Sequence, residues 1–90
     1  MNEDRKKVLT NFKKASGHIN KVIKMMEEGK YCIDVMQQNL AVIGLLKLAH
    51  RQLMEGHLSS CFKVAMETGN KKKKQEMTDE ILQVTSLYNR

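Results

Sequence analysis

The stretch from Tyr31 to Glu67 constrains the fold more than any other part of this 90-residue chain. It contains no proline and no cluster of turn residues, and its two glycines, Gly44 and Gly56, are isolated. We therefore predict one continuous helix over residues 31–67. A helix of this length exceeds the usual globular range, and such helices normally pack against another long helix.

A shorter helical pattern precedes this stretch. Apolar residues recur at steps of three, four and seven from Val8 to Met26, which predicts one apolar stripe on a first helix. Gly29 follows at the position where a helix C-cap belongs. We predict that the first helix ends at this glycine.

The sequence TGNKKKK, residues 68–74, is the clearest break in the helical pattern. Asn70 can cap a following helix, and we expect the four lysines to form a solvated, mobile turn. A third helix then carries an apolar stripe that ends at Tyr88. The sequence thus predicts an all-α fold of three helices, with a very long central one, in a single domain over residues 1–90.

Composition indicates where the protein acts. No run of 18 apolar residues is present and the first ten residues lack the apolar core of a signal peptide, so we expect a cytoplasmic protein that spans no membrane. In that reducing compartment, two cysteines favour metal binding, thiol chemistry or plain burial over a disulfide. The net charge of +6 fits either a surface that binds phosphates or simple solubility.

Two cysteines and a histidine form a candidate metal site. His57 and Cys61 are four residues apart, so on a helix they share one face. Cys32 precedes His57 by 25 positions, which is roughly 38 Å along a continuous helix. It therefore cannot reach the pair of its own chain. Antiparallel pairing of two long helices would bring Cys32 to the partner's pair, and a two-fold axis would create a second site.

The chemistry of this donor set leaves several functions open. Two thiolates and an imidazole are soft ligands that favour Cu(I), and Zn²⁺ is possible with a fourth ligand. Alternatively, both cysteines are buried small apolar residues and His57 is a polar residue at their rim. The sequence carries no phosphate-binding loop, nucleophile elbow or spaced carboxylate pair, so we do not expect an enzyme.

The segments SGHINKVIKMMEEGKYCIDVMQQNLAV and GHLSSCF carry a resemblance to a known family. Over Lys13–Met66 the chain resembles the copper-sensing operon repressors, the CsoR family, whose relatives sense nickel, cobalt, formaldehyde and persulfide. This resemblance implies all-helical antiparallel dimers that pair into a disc-shaped tetramer. It also implies a repressor that binds double-stranded operator DNA when metal-free and releases it when Cu(I) binds.

The resemblance also implies roles for single residues. The Cu(I) ligands would be Cys32 of one subunit with His57 and Cys61 of its partner. Tyr31 and Glu80 would couple the site to the DNA surface, and Glu80 takes this role if the lysine run holds an insertion. Cobalt/nickel and formaldehyde sensors lack the second cysteine and persulfide sensors lack the histidine, so the full set indicates Cu(I). Ni(II) remains open if the N-terminal amine adds a ligand.

DNA recognition is where the sequence departs from the family. The first helix carries lysines where the family usually has arginines, and there is no helix-turn-helix signature. We therefore expect binding through phosphates and DNA shape. The alternative is a solvated basic face. The candidate DNA-binding residues are Lys13, Lys14, Lys21 and Lys24 on the first helix and Lys47 and Arg51 on the second.

Two other functions compete with a copper-responsive repressor. One is a repressor of the same fold that senses persulfide or oxidants through its two thiols. The other is a cytosolic copper buffer or chaperone with no DNA role, a hypothesis that the missing arginines keep open.

Overall fold

The structure is a computed structural model that describes residues 2–90. Among these residues there is no β-strand, and the predicted all-α fold is confirmed. A π-helical turn, Leu58–Phe62, joins the second helix to the third. The helices are α1 (Glu3–Glu27), α2 (Cys32–His57), α3 (Lys63–Glu67) and α4 (Lys71–Tyr88).

The predicted long helix is confirmed, since helical residues run without interruption from Cys32 to Glu67. By length and composition alone this helix could cross a membrane, although the core helix of a soluble protein passes the same test. Lys47 and Arg51 lie within it, and charged side chains are costly in the middle of a bilayer. Burial of its apolar residues against other helices is therefore more favourable than their burial in a bilayer.

The chain divides into two compact units between Met54 and Glu55. In the first unit α1 and α2 form an antiparallel hairpin, because early residues of α1 meet late residues of α2. Asn11 Nδ2 donates a hydrogen bond to Gln52 Oε1 at 2.7 Å, and His18 Nε2 lies 2.8 Å from Gln38 Oε1. These pairs satisfy polar groups inside the hairpin and fix its register.

Small apolar side chains form the core of the hairpin. Ala15 and Val22 of α1 pack with Val42 of α2, and Ile19, Val35 and Leu45 surround them in part. Larger apolar side chains stay exposed on both helices, among them Phe12 and Leu40. One chain therefore buries only a part of its apolar surface.

A tight turn connects α1 to α2. Gly29 has φ +67°, which a glycine adopts without strain. Its N–H donates to the Met26 carbonyl at 3.1 Å, and the N–H of Lys30 donates to the Met25 carbonyl at 3.0 Å. These two bonds form a Schellman motif, which satisfies the last carbonyls of α1. The predicted end of α1 at this glycine is confirmed, although the C-cap itself is Glu28 and Gly29 is the residue that follows it.

The second unit contains α3 and α4, which pack against each other. Gly69, with φ +74°, ends α3, and the side chain of Asn70 accepts the N–H of Lys73 at 3.0 Å. Asn70 thus caps α4 as predicted. The prediction of a mobile turn at Lys71–Lys74 is wrong, because these lysines form the first turn of α4. Lysine is a good helix former, and the cap supplies the start signal.

The positive φ of Gly29 predicts a difference between two glycine substitutions. Gly29→Ala should lower the free energy of unfolding by about 1–2 kcal/mol, because an alanine at positive φ is strained. Gly17→Ala, inside α1 where an added Cβ meets nothing within 4 Å, should instead raise it by about 1 kcal/mol. Urea unfolding of both variants measures this, and equal effects of the two changes would contradict the assignment of the turn.

Candidate metal centre

Cys32 is the first residue of α2. The carbonyl of the preceding Tyr31 accepts the N–H of Val35 at 3.2 Å, which is the first hydrogen bond of this helix. The Gly29 turn sets the point at which α2 begins, so the position of the cysteine follows from the local sequence. Its thiol is free and exposed. It is therefore available to a ligand or to a second chain.

His57 and Cys61 follow at the other end of α2. His57 is its last residue and is half-buried, while Cys61 lies in the π-helical turn and is exposed, with a free thiol. The predicted pair thus lies within one turn of helical backbone. Within one chain both Cys32 and Cys61 are exposed, which disfavours the alternative interpretation of the two thiols as buried apolar residues.

One chain does not assemble a metal site by itself. Within residues 2–90, no three His, Cys, Asp or Glu side chains form a group that could hold a metal ion. The two thiols and one imidazole nevertheless fit a soft metal ion by their chemistry. A complete site from these donors therefore requires a second copy of the chain.

A mostly exposed stripe on α2 offers a surface on which a second copy could pack. Eight residues of α2 are spaced alternately four and three positions apart, the spacing of a coiled-coil seam. Four of them are large apolar residues, whose exposed fractions range from 38% for Ile43 to 56% for Met36. The residues of this stripe, which we call the α2 seam, are Cys32, Met36, Asn39, Ile43, Leu46, His50, Leu53 and His57.

The α2 seam adjoins a further apolar groove on the first unit. Leu53, a seam residue, lines this groove together with Val8, Leu9 and Phe12 of α1, and Arg5 closes one side. Leu9 and Phe12 are themselves exposed. The apolar surface that one chain leaves uncovered thus extends from α2 onto α1.

The two predicted coupling residues occupy separate elements. Tyr31 directly precedes α2 and is 68% exposed. Glu80 lies on α4 and is also exposed. Their coupling role stays a prediction.

The lysines of α1 form a basic face. At 100° per residue, Lys13, Lys14, Lys21 and Lys24 fall within a sector of about 100°, on the side away from the buried core residues. All four are exposed, and Lys24 Nζ lies 3.8 Å from Glu28 Oε1. An exposed ion pair of this kind contributes little to stability, so Lys24 remains able to meet a phosphate.

The two predicted basic residues on α2 are exposed as well. Lys47 and Arg51 are four positions apart, which places them one turn from each other on α2. On the helical wheel they lie opposite the buried Val42 and Ala49. They therefore carry positive charge on a part of α2 that does not pack against α1.

Hydrophobic periodicity does not predict the π-helical turn at Cys61. Its local signals are Gly56 and the serine pair Ser59 and Ser60, whose hydroxyls both donate to the Gly56 carbonyl. Hydroxyls that bond back to a helix carbonyl compete with the regular backbone bonds. Such a cluster next to a ligand residue is the signal that could have pointed to the turn.

Comparison with known proteins gives a consistent result. The family described as "Metal-sensitive transcriptional repressor" matches residues 4–86. The chain is 34% identical over 82 residues to the copper-sensing transcriptional repressor CsoR of Mycobacterium ulcerans, covering 91% of this chain and 68% of the relative. It is 35% identical over 66 residues to CsoR of Mycobacterium bovis, covering 73% and 56%. The chain thus spans only about half to two thirds of these relatives.

The fold is also similar to a solved structure. The crystal structure of the copper-sensing repressor CsoR with Cu(I) from Geobacillus thermodenitrificans matches with a TM-score of 0.79 and 29% identity. The match covers 94% of this chain and 90% of that one. The similarity therefore includes both compact units.

Proposed function

Because this chain belongs to the family of metal-sensitive transcriptional repressors, we propose that it is a Cu(I)-responsive repressor, which binds operator DNA when metal-free and releases it when Cu(I) binds. The family predicted from the sequence is thereby confirmed. A repressor acts where the DNA is, so a cytoplasmic location is part of the proposal. The main support for this proposal is the order of the residues along the α2 seam.

The α2 seam has the same pattern when read from either end. The positions of Cys32 and His57 sum to 89, and so do those of Met36 and Leu53 and those of Ile43 and Leu46. Two antiparallel copies with a two-fold axis between residues 44 and 45 therefore pair apolar side chains with apolar ones. The same pairing brings Cys32 next to the partner's His57.

This pairing supports a shared metal site at each end of the seam. Cys32 of one chain would meet His57 of its partner, and Cys61 follows one turn later. Bound Cu(I) supplies a soft Lewis acid for which two thiolates and one imidazole form a suitable low-coordinate set. Three donors from two chains would tie the two α2 helices together.

DNA release then requires that the metal-bound and metal-free assemblies differ in affinity for DNA. The basic face of α1 begins close to the site, since Lys24 precedes Cys32 by only eight residues and the Gly29 turn. We propose that Tyr31 and Glu80 carry the coupling between metal and DNA surface. A tetramer, in which two such dimers pair, would present several basic faces to one operator.

The basic face suits DNA phosphates. From Lys13 to Lys24 it spans roughly 16 Å of helix, about half of one turn of B-DNA. Lysine binds phosphate as a point charge and reads bases poorly. Binding should therefore depend on charge and DNA shape, with Lys14, Lys21, Lys47 and Arg51 as the further candidate contacts.

The shared site predicts complementation between two defective chains. Cys32→Ala and Cys61→Ala should each keep operator binding but lose its release by stoichiometric Cu(I). In co-refolded mixtures, half of the dimers combine the two variants and hold one intact site, so about a quarter of the Cu(I) sites should return. Anaerobic Cu(I) titration against a competing chelator measures this recovery.

The control for this experiment is a mixture of Cys32→Ala with the double variant Cys32→Ala/Cys61→Ala, which contains no intact combination. Recovery in the control, or no recovery in the test mixture, would contradict a site shared between chains. Wild-type protein that binds Cu(I) yet forms no sequence-preferring DNA complex would favour the copper buffer or chaperone instead.

A persulfide- or oxidant-sensing repressor is the second candidate, because both thiols are free and exposed. His57→Ala distinguishes it from the copper sensor. Removal of an imidazole ligand should abolish release by Cu(I), whereas a switch that links Cys32 to the partner's Cys61 does not need the imidazole. Operator binding is measured with each inducer by fluorescence anisotropy, and release of His57→Ala by Cu(I) at the wild-type concentration would contradict the copper site.

The basic face predicts a smaller salt dependence of DNA binding when lysines are removed. In Lys13→Gln/Lys21→Gln the slope of log K against log salt should fall in magnitude by about 0.9 for each lost phosphate contact. Lys63→Gln removes one exposed lysine on α3 and serves as the control, which should leave the slope unchanged. Equal slopes for all variants would remove α1 from the DNA interface.

A further inference from the structure

The π-helical turn Leu58–Phe62 directly follows the proposed ligand His57 and contains the proposed ligand Cys61. Two side-chain hydrogen bonds mark its upstream end. Ser60 Oγ donates to the Gly56 carbonyl at 2.6 Å, and Ser59 Oγ donates to the same carbonyl at 3.2 Å. The Ser60 bond is therefore expected to be the stronger of the two, because its donor–acceptor distance is shorter.

The local sequence explains why the helix departs from α-geometry here. Gly56 has the lowest helix propensity apart from proline, so it weakens the regular helix at this point. A serine hydroxyl that bonds to the carbonyl four residues earlier competes with the backbone N–H for that carbonyl and bends helices. Gly56 and Ser60 together therefore favour the wider turn.

The wider turn changes the angle between the two ligands. Four residues of an α-helix complete slightly more than one turn, whereas four residues of the wider π-helical turn complete slightly less than one. The direction of the Cys61 thiol relative to the His57 imidazole therefore depends on whether the turn is π or α. Ser60 Oγ also lies 3.8 Å from Cys61 Sγ, so the hydroxyl that holds the turn adjoins the thiol.

We propose that Ser60 is a positioning residue of the metal centre: its bond to the Gly56 carbonyl maintains the π-helical turn, and this turn orients Cys61 toward the same ligand position as His57. The inference rests on the proposed function, because it takes His57 and Cys61 as Cu(I) ligands. Ser60 itself does not contact the metal in this proposal. The hydroxyl acts through the backbone and contributes before the metal arrives.

Substitution of the hydroxyl tests this role. Ser60→Ala should weaken Cu(I) binding about threefold to tenfold, the range expected for loss of one ordinary hydrogen bond. Ser60→Thr keeps a hydroxyl at the same position and should restore wild-type affinity. Ser59→Ala is the matched control on the neighbouring residue, and its longer bond predicts a smaller loss. Anaerobic competition with a Cu(I)-selective chelator measures all of these affinities.

A second variant separates positioning from general stability. Gly56→Ala adds a Cβ that meets nothing within 4 Å, and alanine favours the regular α-helix. It should therefore raise the urea midpoint of the metal-free protein and still weaken Cu(I) binding. A merely structural role for this segment predicts that affinity and stability change in the same direction.

The outcomes distinguish this inference from the proposed function. Weaker binding in Ser60→Ala and Gly56→Ala, with rescue by Ser60→Thr, supports the positioning role. Wild-type affinity in Ser60→Ala overturns the inference alone and leaves the copper sensor intact. Failure of the wild-type protein to hold Cu(I) against the chelator overturns the proposed function and this inference with it.

Discussion

The structure depends on an apolar surface that a single chain cannot cover. Among residues 2–90, the buried apolar residues are all small or medium-sized: three valines and three alanines, distributed over α1, α2 and α3. The large apolar residues of α2 stay exposed instead, spaced as in a coiled-coil seam. A chain of this size buries a modest share of its surface, so burial of the seam by a second copy, as in the proposed dimer, would supply a large part of its stability. Folding, assembly and completion of the metal site would then be one process.

Most of the fold could be predicted from local sequence signals. The proline-free stretch predicted the long helix, and the glycines at its borders, Gly29 and Gly69, have the positive φ of helix ends. The prediction for Lys71–Lys74 was wrong because a run of like charges suggests a solvated turn, while each lysine is also a good helix former. The Asn70 cap favours the helix over the turn, because its side chain satisfies a backbone N–H at the start of α4.

The candidate site could be predicted in its composition but only partly in its geometry. The spacing of Cys32, His57 and Cys61 followed from helix dimensions, which are the same in every protein. The π-helical turn did not, because it results from a competition between side-chain and backbone hydrogen bonds that periodicity does not register. The symmetric order of the α2 seam became meaningful only when the structure showed which of its residues α1 leaves uncovered.

The turn at Gly29 has a consequence for how a subunit can move. Its two backbone bonds and the polar pairs along the hairpin, such as Asn11 with Gln52, leave α1 little freedom to slide on α2. The basic face and the Cys32 thiol therefore lie on one rigid hairpin, which α1 and α2 form. In the proposed dimer the partner chain would hold the Cys32 thiol, and a rotation of the subunit about that point would move Lys13 further than Lys24, because Lys13 lies further along α1 from the turn.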